Sequence, residues 1–149
     1  MKISRRTTYG IMAAIDLAMN AHEAPIQARA IARRQVIPIR FLEQVLNAMK
    51  KSGLVDSLRG AQGGYILLKE PSVLSIADIL EALEGSVFHR SVQGRPSFEK
   101  RSTKQEILLG NVWEQVEAAE RKVLGGITIQ ELAGRQRVLE EQRNPMYHI

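Results

Sequence analysis

The sequence predicts a mainly α fold with one small β-hairpin: a winged helix-turn-helix followed by a long C-terminal dimerisation helix. Three observations carry that prediction. Apolar runs at 54–58 and 65–68 flank a turn holding Arg59, Gly60, Gly63 and Gly64, the pattern of a glycine-tipped hairpin. Directly before it, residues 38–51 alternate between one apolar face and one polar, basic face at helical spacing. Further on, Leu108, Leu109, Val112, Trp113, Val116, Ala119 and Val123 continue a helical period, which asks for a second surface to cover it.

Each element has its own local reason. Ser4 caps a first helix running to about Asn20, with Ile11, Met12, Ile15, Leu17, Ala18 and Met19 as its apolar face. The run from Glu23 to Pro25 breaks it. A shorter helix covers about Ala28 to Gln35, with Ile31 and Ala32 inward and Arg29, Arg33 and Arg34 outward. Val36 and Ile37 form the turn. Pro38 suits the first position of a third helix, where its missing N–H is not needed. There Leu42, Val45, Leu46 and Met49 recur at i, i+3, i+4 and i+7 as a buried stripe, while Arg40, Glu43, Gln44, Asn47, Lys50 and Lys51 fall largely opposite.

After the hairpin, Ser75 and Asp78 open a capping box, Ile76, Ile79, Leu80 and Leu83 face inward, and Gly85 ends the helix. Residues 86–103, containing Gly94 and Pro96, have no clear period and read as a loop. Thr103 and Glu106 open a second capping box ahead of the long helix, in which Gly110 is a weak point and a place for a kink. Gly125 and Gly126 end it. Thr128 and Glu131, with Ile127 and Leu132 as a hydrophobic staple, start a last helix to about Gln142. The expected division is therefore a winged helix-turn-helix over 1–85, a loop over 86–103, and a dimerisation helix with a C-terminal helix over 104–149.

Composition narrows the function. With 44% hydrophobic and 25% charged residues the 149-residue chain is globular, and no apolar run approaches a membrane span. The first residues lack the apolar stretch of a secretory signal, so a soluble, cytoplasmic protein is expected. There is no cysteine, which excludes disulfides, thiolate metal sites and a cysteine nucleophile. Charge is uneven: residues 1–69 hold 11 basic and 4 acidic side chains, or +7, whereas 70–149 hold 10 and 12, or −2. A basic half beside a slightly acidic one suits a module that faces nucleic acid.

Neither a nucleophile–base pair nor a paired carboxylate site is apparent, so no enzyme is expected. His22, His89 and His148 are scattered, with no metal-ligand spacing. The glycines at 60, 63 and 64 lack the Gly-Lys-Ser/Thr end of a phosphate loop and lead into a strand. Glu114, Glu117 and Glu120 are most simply a solvated helix face. The long apolar helix either folds back on its own domain or pairs with a second copy. Two winged helices on one duplex need a two-fold axis, which favours pairing.

The residues that carry a family resemblance are Met1 to Ser4 with Tyr9, Ile31-Ala32, Phe41 to Leu46, Gly53 to Val55, the hairpin run Ser57 to Tyr65, Ile76 to Ile79, and Ile127 to Leu132. In these the chain resembles the Rrf-two family of bacterial winged-helix regulators, over nearly its whole length apart from the 86–106 loop and the tail. The resemblance implies a homodimer on a pseudo-palindromic DNA operator, acting as a transcriptional regulator, most simply a repressor. It places Arg40, Glu43 and Gln44 at the exposed start of the recognition helix, Arg59 with Gly60 in a wing entering the minor groove, and Arg5, Arg6 and Thr7 near phosphates.

Physical chemistry agrees: Gln44 matches adenine, Arg40 guanine, Glu43 the amino group of cytosine, and arginine a narrow minor groove. Lys50 and Lys51, beside the hairpin, are expected on phosphates. Leu109, Val112, Trp113, Val116 and Val123 are expected in the dimer seam. Sensing members of the family hold an iron–sulfur cluster through cysteines in the loop that is 86–102 here. Ser91, Ser97 and Ser102 stand at roughly that spacing, and serine is a poor substitute for a thiolate. No cofactor and no metal are expected, leaving a small molecule or a protein as effector. A protein-interaction adaptor, working through the C-terminal half, is the competing reading.

Overall fold

The structure is a computed structural model of the chain, and it describes residues 2–85 and 103–143. Most of the expected 86–103 loop, with Ser91, Ser97 and Ser102, lies outside the described residues, as does the tail from Asn144.

Among the described residues, six α-helices and one hairpin follow the expected order. Helix α1 spans Arg5–Met19, and the Ser4 hydroxyl accepts the Thr7 N–H at 3.2 Å to cap it. A 3₁₀ turn at Ala21–Glu23 leads to Ile26, and then α2 spans Ala28–Gln35 and α3 Ile39–Lys51. Pro38 takes the cap position rather than the first helical one, and its carbonyl accepts from Leu42 at 2.9 Å. Strands β1 (Val55–Leu58) and β2 (Gly64–Leu67) pair antiparallel, Val55 opposite Leu67 and Leu58 opposite Gly64. Helix α4 spans Ile76–Glu84 behind the complete Ser75/Asp78 capping box. Helix α5 spans Lys104–Gly126, also behind a complete box, and α6 spans Ile129–Arg143. Of the third expected box the forward half is present: Thr128 Oγ1 accepts the Glu131 N–H at 3.2 Å.

One core joins these elements. Leu42, Val45, Leu46 and Met49 of α3 are all buried in it, with Ile31, Ile37, Val55, Leu74 and Ile79. On α1 the buried face is Gly10, Ala13, Ala14 and Leu17, while the larger Ile11, Met12 and Ile15 flank it half-buried. This departs from the expected face for a steric reason. Helix α1 is central and meets α2, α3, α4, β2 and α6. Close approach on so many sides selects small residues: a Cβ at Gly10 would stand 2.3 Å from Leu83 Cδ1.

The two C-terminal helices behave oppositely. The chain after α5 returns to the first unit: Ile129 N–H donates to Leu74 O at 2.8 Å and Gln130 N–H to Pro71 O at 3.0 Å. Ile129 and Ala133 are buried, and α6 lies along α1. Helix α6 is thus packed on the body, which α5 is not to the same degree. Helix α5 borders α4, and Gly110 is its one buried residue.

Candidate nucleic-acid interface

Helices α2 and α3 with the turn between them form the helix-turn-helix, and the hairpin forms the wing. Burying the apolar stripe of α3 leaves Arg40, Glu43, Gln44 and Asn47 exposed along its other side. A helix of this diameter has the width that the major groove of a duplex admits, and these four side chains form its polar, solvent-facing side. Tyr9 and Phe41 meet edge to face, ring centres 5.3 Å apart, and pin the start of α3 to α1 beside Arg40. In the wing, burial and then the charge of Glu43 push the Tyr65 hydroxyl above its ordinary range, so wing and recognition helix share one electrostatic neighbourhood.

The wing is rooted in the body by its glycines. Gly64 has φ +154°, and a Cβ there would stand 2.4 Å from the carbonyl carbon of Ile26. That closeness lets Ile26 and Tyr65 exchange backbone hydrogen bonds of 3.0 and 2.7 Å, so the hairpin is tied to the strand-like residue ahead of α2. Arg59 and Gly60 sit exposed at the free tip. Lys50 is less free than a phosphate-binding lysine: its Nζ donates to Ser57 Oγ at 2.6 Å and lies 3.7 Å from Asp56 Oδ1. It braces the end of α3 against β1. Lys51 is exposed.

At the start of α1, Arg5 and Arg6 are exposed as expected, but Thr7 is not. Thr7 is fully buried, and its hydroxyl donates to Glu84 Oε1 at 2.6 Å. The Thr7 side chain, expected near phosphates, instead faces the body: a residue at the third helical position of α1 turns inward when the helix packs on α4, and its hydroxyl finds a carboxylate there.

Sequence reasoning also missed the partner of Arg34. It is exposed, as its sequence pattern reads, and it also grips Asp16 of α1 with two bonds, Nε to Oδ2 at 2.9 Å and Nη2 to Oδ1 at 2.7 Å. Gln35 adds a third at 2.9 Å. Asp16 is 1% exposed, so this is a buried carboxylate met by a planar fork of donors. The hydrogen bonds to Asp16 raise the Arg34 guanidinium above its usual value. Val36 follows at once, 85% exposed and in the left-handed conformation (φ 54°) that β-branched residues rarely adopt. The clamp thus ends where the chain must turn into α3. An acid at 16, between Ile15 and Leu17 on an apolar stretch, was the signal for it. Arg29 and Arg33, exposed on α2, add two cations on the helix that crosses the DNA backbone in this motif.

Away from the motif, Leu109, Val112, Trp113, Val116 and Val123 of α5 are between 46% and 59% exposed. Nothing in the described part of the chain covers them as the body covers α3. No helix of the described residues is long and apolar enough to cross a membrane.

Comparison with known proteins matches this architecture. A family model described as "Rrf2: Iron-dependent Transcriptional regulator" matches residues 3–135. The HTH-type transcriptional regulator IscR of Photorhabdus laumondii is 31% identical over 140 residues, covering 94% of this chain and 84% of that protein. Among solved structures, CymR, the global cysteine regulator of B. subtilis, is 30% identical with a TM-score of 0.75, over 91% of this chain and 98% of that one. IscR of T. potens is 33% identical with a TM-score of 0.72, over 91% and 88%.

The iron in that family description would need donors from this chain. The chain has no cysteine and three histidines. Among the described residues no three His, Cys, Asp or Glu side chains gather as a metal site, and His22 is exposed beside Glu23. This donor set does not fit a thiolate-held cluster.

Proposed function

The chain belongs to the Rrf2 family of transcriptional regulators, a family of DNA-binding proteins and not of enzymes, and from that premise we propose that it is a dimeric, sequence-specific repressor that works without an iron–sulfur cluster. The observation that carries the reading is the division of α3, with four core residues on one side and Arg40, Glu43, Gln44 and Asn47 on the other. In the major groove, Arg40 reads guanine and Gln44 adenine, while Glu43 accepts from cytosine and leaves its charge unpaired over other bases. Arg59 enters the minor groove from the wing tip. Arg5, Arg6, Arg29, Arg33 and Lys51 neutralise phosphates, and Lys50 holds the wing at its angle. The exposed face of α5 supports pairing with a second copy, which gives the two-fold axis that a pseudo-palindromic operator matches. Occupying that operator excludes other proteins from it, which is the simplest route to repression. A small molecule or a protein is the proposed regulatory input.

The test is selection of bound duplexes from random sequence, followed by a salt series on the winner. Specific binding should appear as a symmetric consensus, with log affinity falling linearly in log salt by about 0.9 per phosphate neutralised. Binding that is equal on all duplexes would overturn the specific reading. Protein prepared without oxygen should be colourless and carry no stoichiometric iron or acid-labile sulfide, and its DNA affinity should ignore nitric oxide and iron chelators. Bound iron and sulfide in equal amounts would refute the cluster-free claim.

A further inference from the structure

We propose that Glu84 is a positioning residue for DNA contact: from the last turn of α4 its carboxylate holds the first turn of α1, and with it the phosphate-facing pair Arg5 and Arg6. This rests on the DNA-binding reading above. Glu84 Oε1 accepts the Ser4 N–H at 3.1 Å, the Thr7 hydroxyl at 2.6 Å and the Ser4 hydroxyl as well. Ser4 Oγ in turn accepts the Thr7 N–H at 3.2 Å. The partners lie about eighty residues apart in sequence, so this is a tertiary tie and not a local cap.

The first turn of a helix carries unsatisfied N–H groups and the positive end of the helix dipole, and it frays when nothing holds it. Here an internal carboxylate takes the place that solvent or a phosphate would otherwise take. One turn further along, Gly10 lets Leu83 approach to a distance at which no Cβ fits, so α1 and α4 are joined at a polar and an apolar point. Arg5 and Arg6 stand in the held turn, between Ser4 and Thr7, and both are exposed. Fixing their backbone before DNA arrives removes an ordering cost from binding.

The proposal predicts a sign that simple charge bookkeeping reverses. Deleting a carboxylate beside phosphate-binding arginines should tighten DNA binding by electrostatics alone. If Glu84 positions the arginines, deletion weakens it. The full-length protein would be compared as wild type, Glu84→Ala, Glu84→Asp and Glu84→Gln. Aspartate keeps the charge but not the reach, and glutamine keeps an acceptor at the same reach.

Readouts are operator affinity over a salt series and amide hydrogen exchange at Ser4–Thr8. Glu84→Ala and Glu84→Asp should each weaken binding roughly threefold to tenfold, flatten the salt slope by about one unit, and speed exchange at Thr7. Glu84→Gln should recover most of the affinity, and this keeps the proposal testable if the alanine variant does not fold. In an Arg5→Ala/Arg6→Ala background the Glu84 changes should have no further effect on affinity. Unchanged or tighter binding by folded Glu84→Asp, or an equal loss in the arginine-free background, would overturn the proposal. A wild type that binds no duplex in a salt-dependent way would instead sink the DNA-binding reading. Hydrogen exchange would then still decide whether Glu84 holds the turn, with unchanged exchange at Thr7 in Glu84→Asp counting against it.

Discussion

Helices α3 and α5 carry apolar stripes of the same period, yet their fates differ. In α3, Leu42, Leu46 and Met49 are fully buried. In α5, Val112, Trp113 and Val116 keep about half of their surface, at 48%, 51% and 46%. Periodicity states that a face must be covered; it does not state by what. The body of the same chain covers α3, as α1, α2 and α4 all pack against it. Helix α5 runs beside α4 and offers its stripe outward, which is the condition for a second copy to supply the cover.

Substitutions in the two stripes should therefore read out differently. Leu46→Ala removes a fully buried side chain and should cost about 2–5 kcal/mol of folding stability, measured by urea denaturation, with assembly unchanged. A loss below about 1 kcal/mol would mean that α3 is not the core helix. Val116→Asp should leave the fold and weaken self-association roughly a hundredfold, seen as monomers in light scattering, because a charge in a dimer seam has no partner. A dimer of unchanged strength would return α5 to an intramolecular role and break the comparison.

Smaller effects sharpen the comparison within the winged helix itself, where solvent-facing residues should act on DNA and braced ones on stability. Arg59→Ala at the wing tip should weaken operator binding by about 1–3 kcal/mol at fixed salt with the melting temperature unmoved. Equal affinity would remove the wing from the interface. Asp78 is the counter-case, a braced acid. Burial pushes its carboxyl up, but the 2.7 Å bond from Lys69 and the Ser75 N–H outweigh this and hold it below the usual carboxylate value. A depressed folded-state value means that its stabilisation is present above the unfolded value, near pH 4, and is lost as pH falls through the folded one. Asp78→Ala should thus cost about 1 kcal/mol at neutral pH, and wild type and variant should converge on acidification below pH 4. A gap that stays constant with pH would show that the ionised carboxylate is not what holds the α4 cap.

Much of the fold was legible because its signals are local. Ser4, the Ser75/Asp78 pair and the Thr103/Glu106 pair each start a helix where a hydroxyl meets an N–H three residues on, and all three caps form. The glycine-tipped hairpin and the buried side of α3 follow from turn geometry and period in the same way. Side-chain surroundings were less legible than elements. Arg40, Glu43, Gln44 and Arg59 are exposed on the elements expected to present them. Thr7 is bonded within the body, Lys50 is exposed but bonded to Ser57, and Arg34, exposed as read, also closes on Asp16.

What the sequence determined by itself was the set of elements, their order and the hand each offers to solvent in the recognition helix, since spans of about four residues encode all of these. The tertiary structure decided the rest: that α1 is buried on its small residues, that α6 comes back to lie along it, that Glu84 reaches Ser4 and Thr7, and that Asp16 is satisfied by Arg34 and Gln35. These depend on which helices come together in space. A hydroxyl or a guanidinium looks the same in sequence whether its partner is water, a phosphate or a carboxylate eighty residues away.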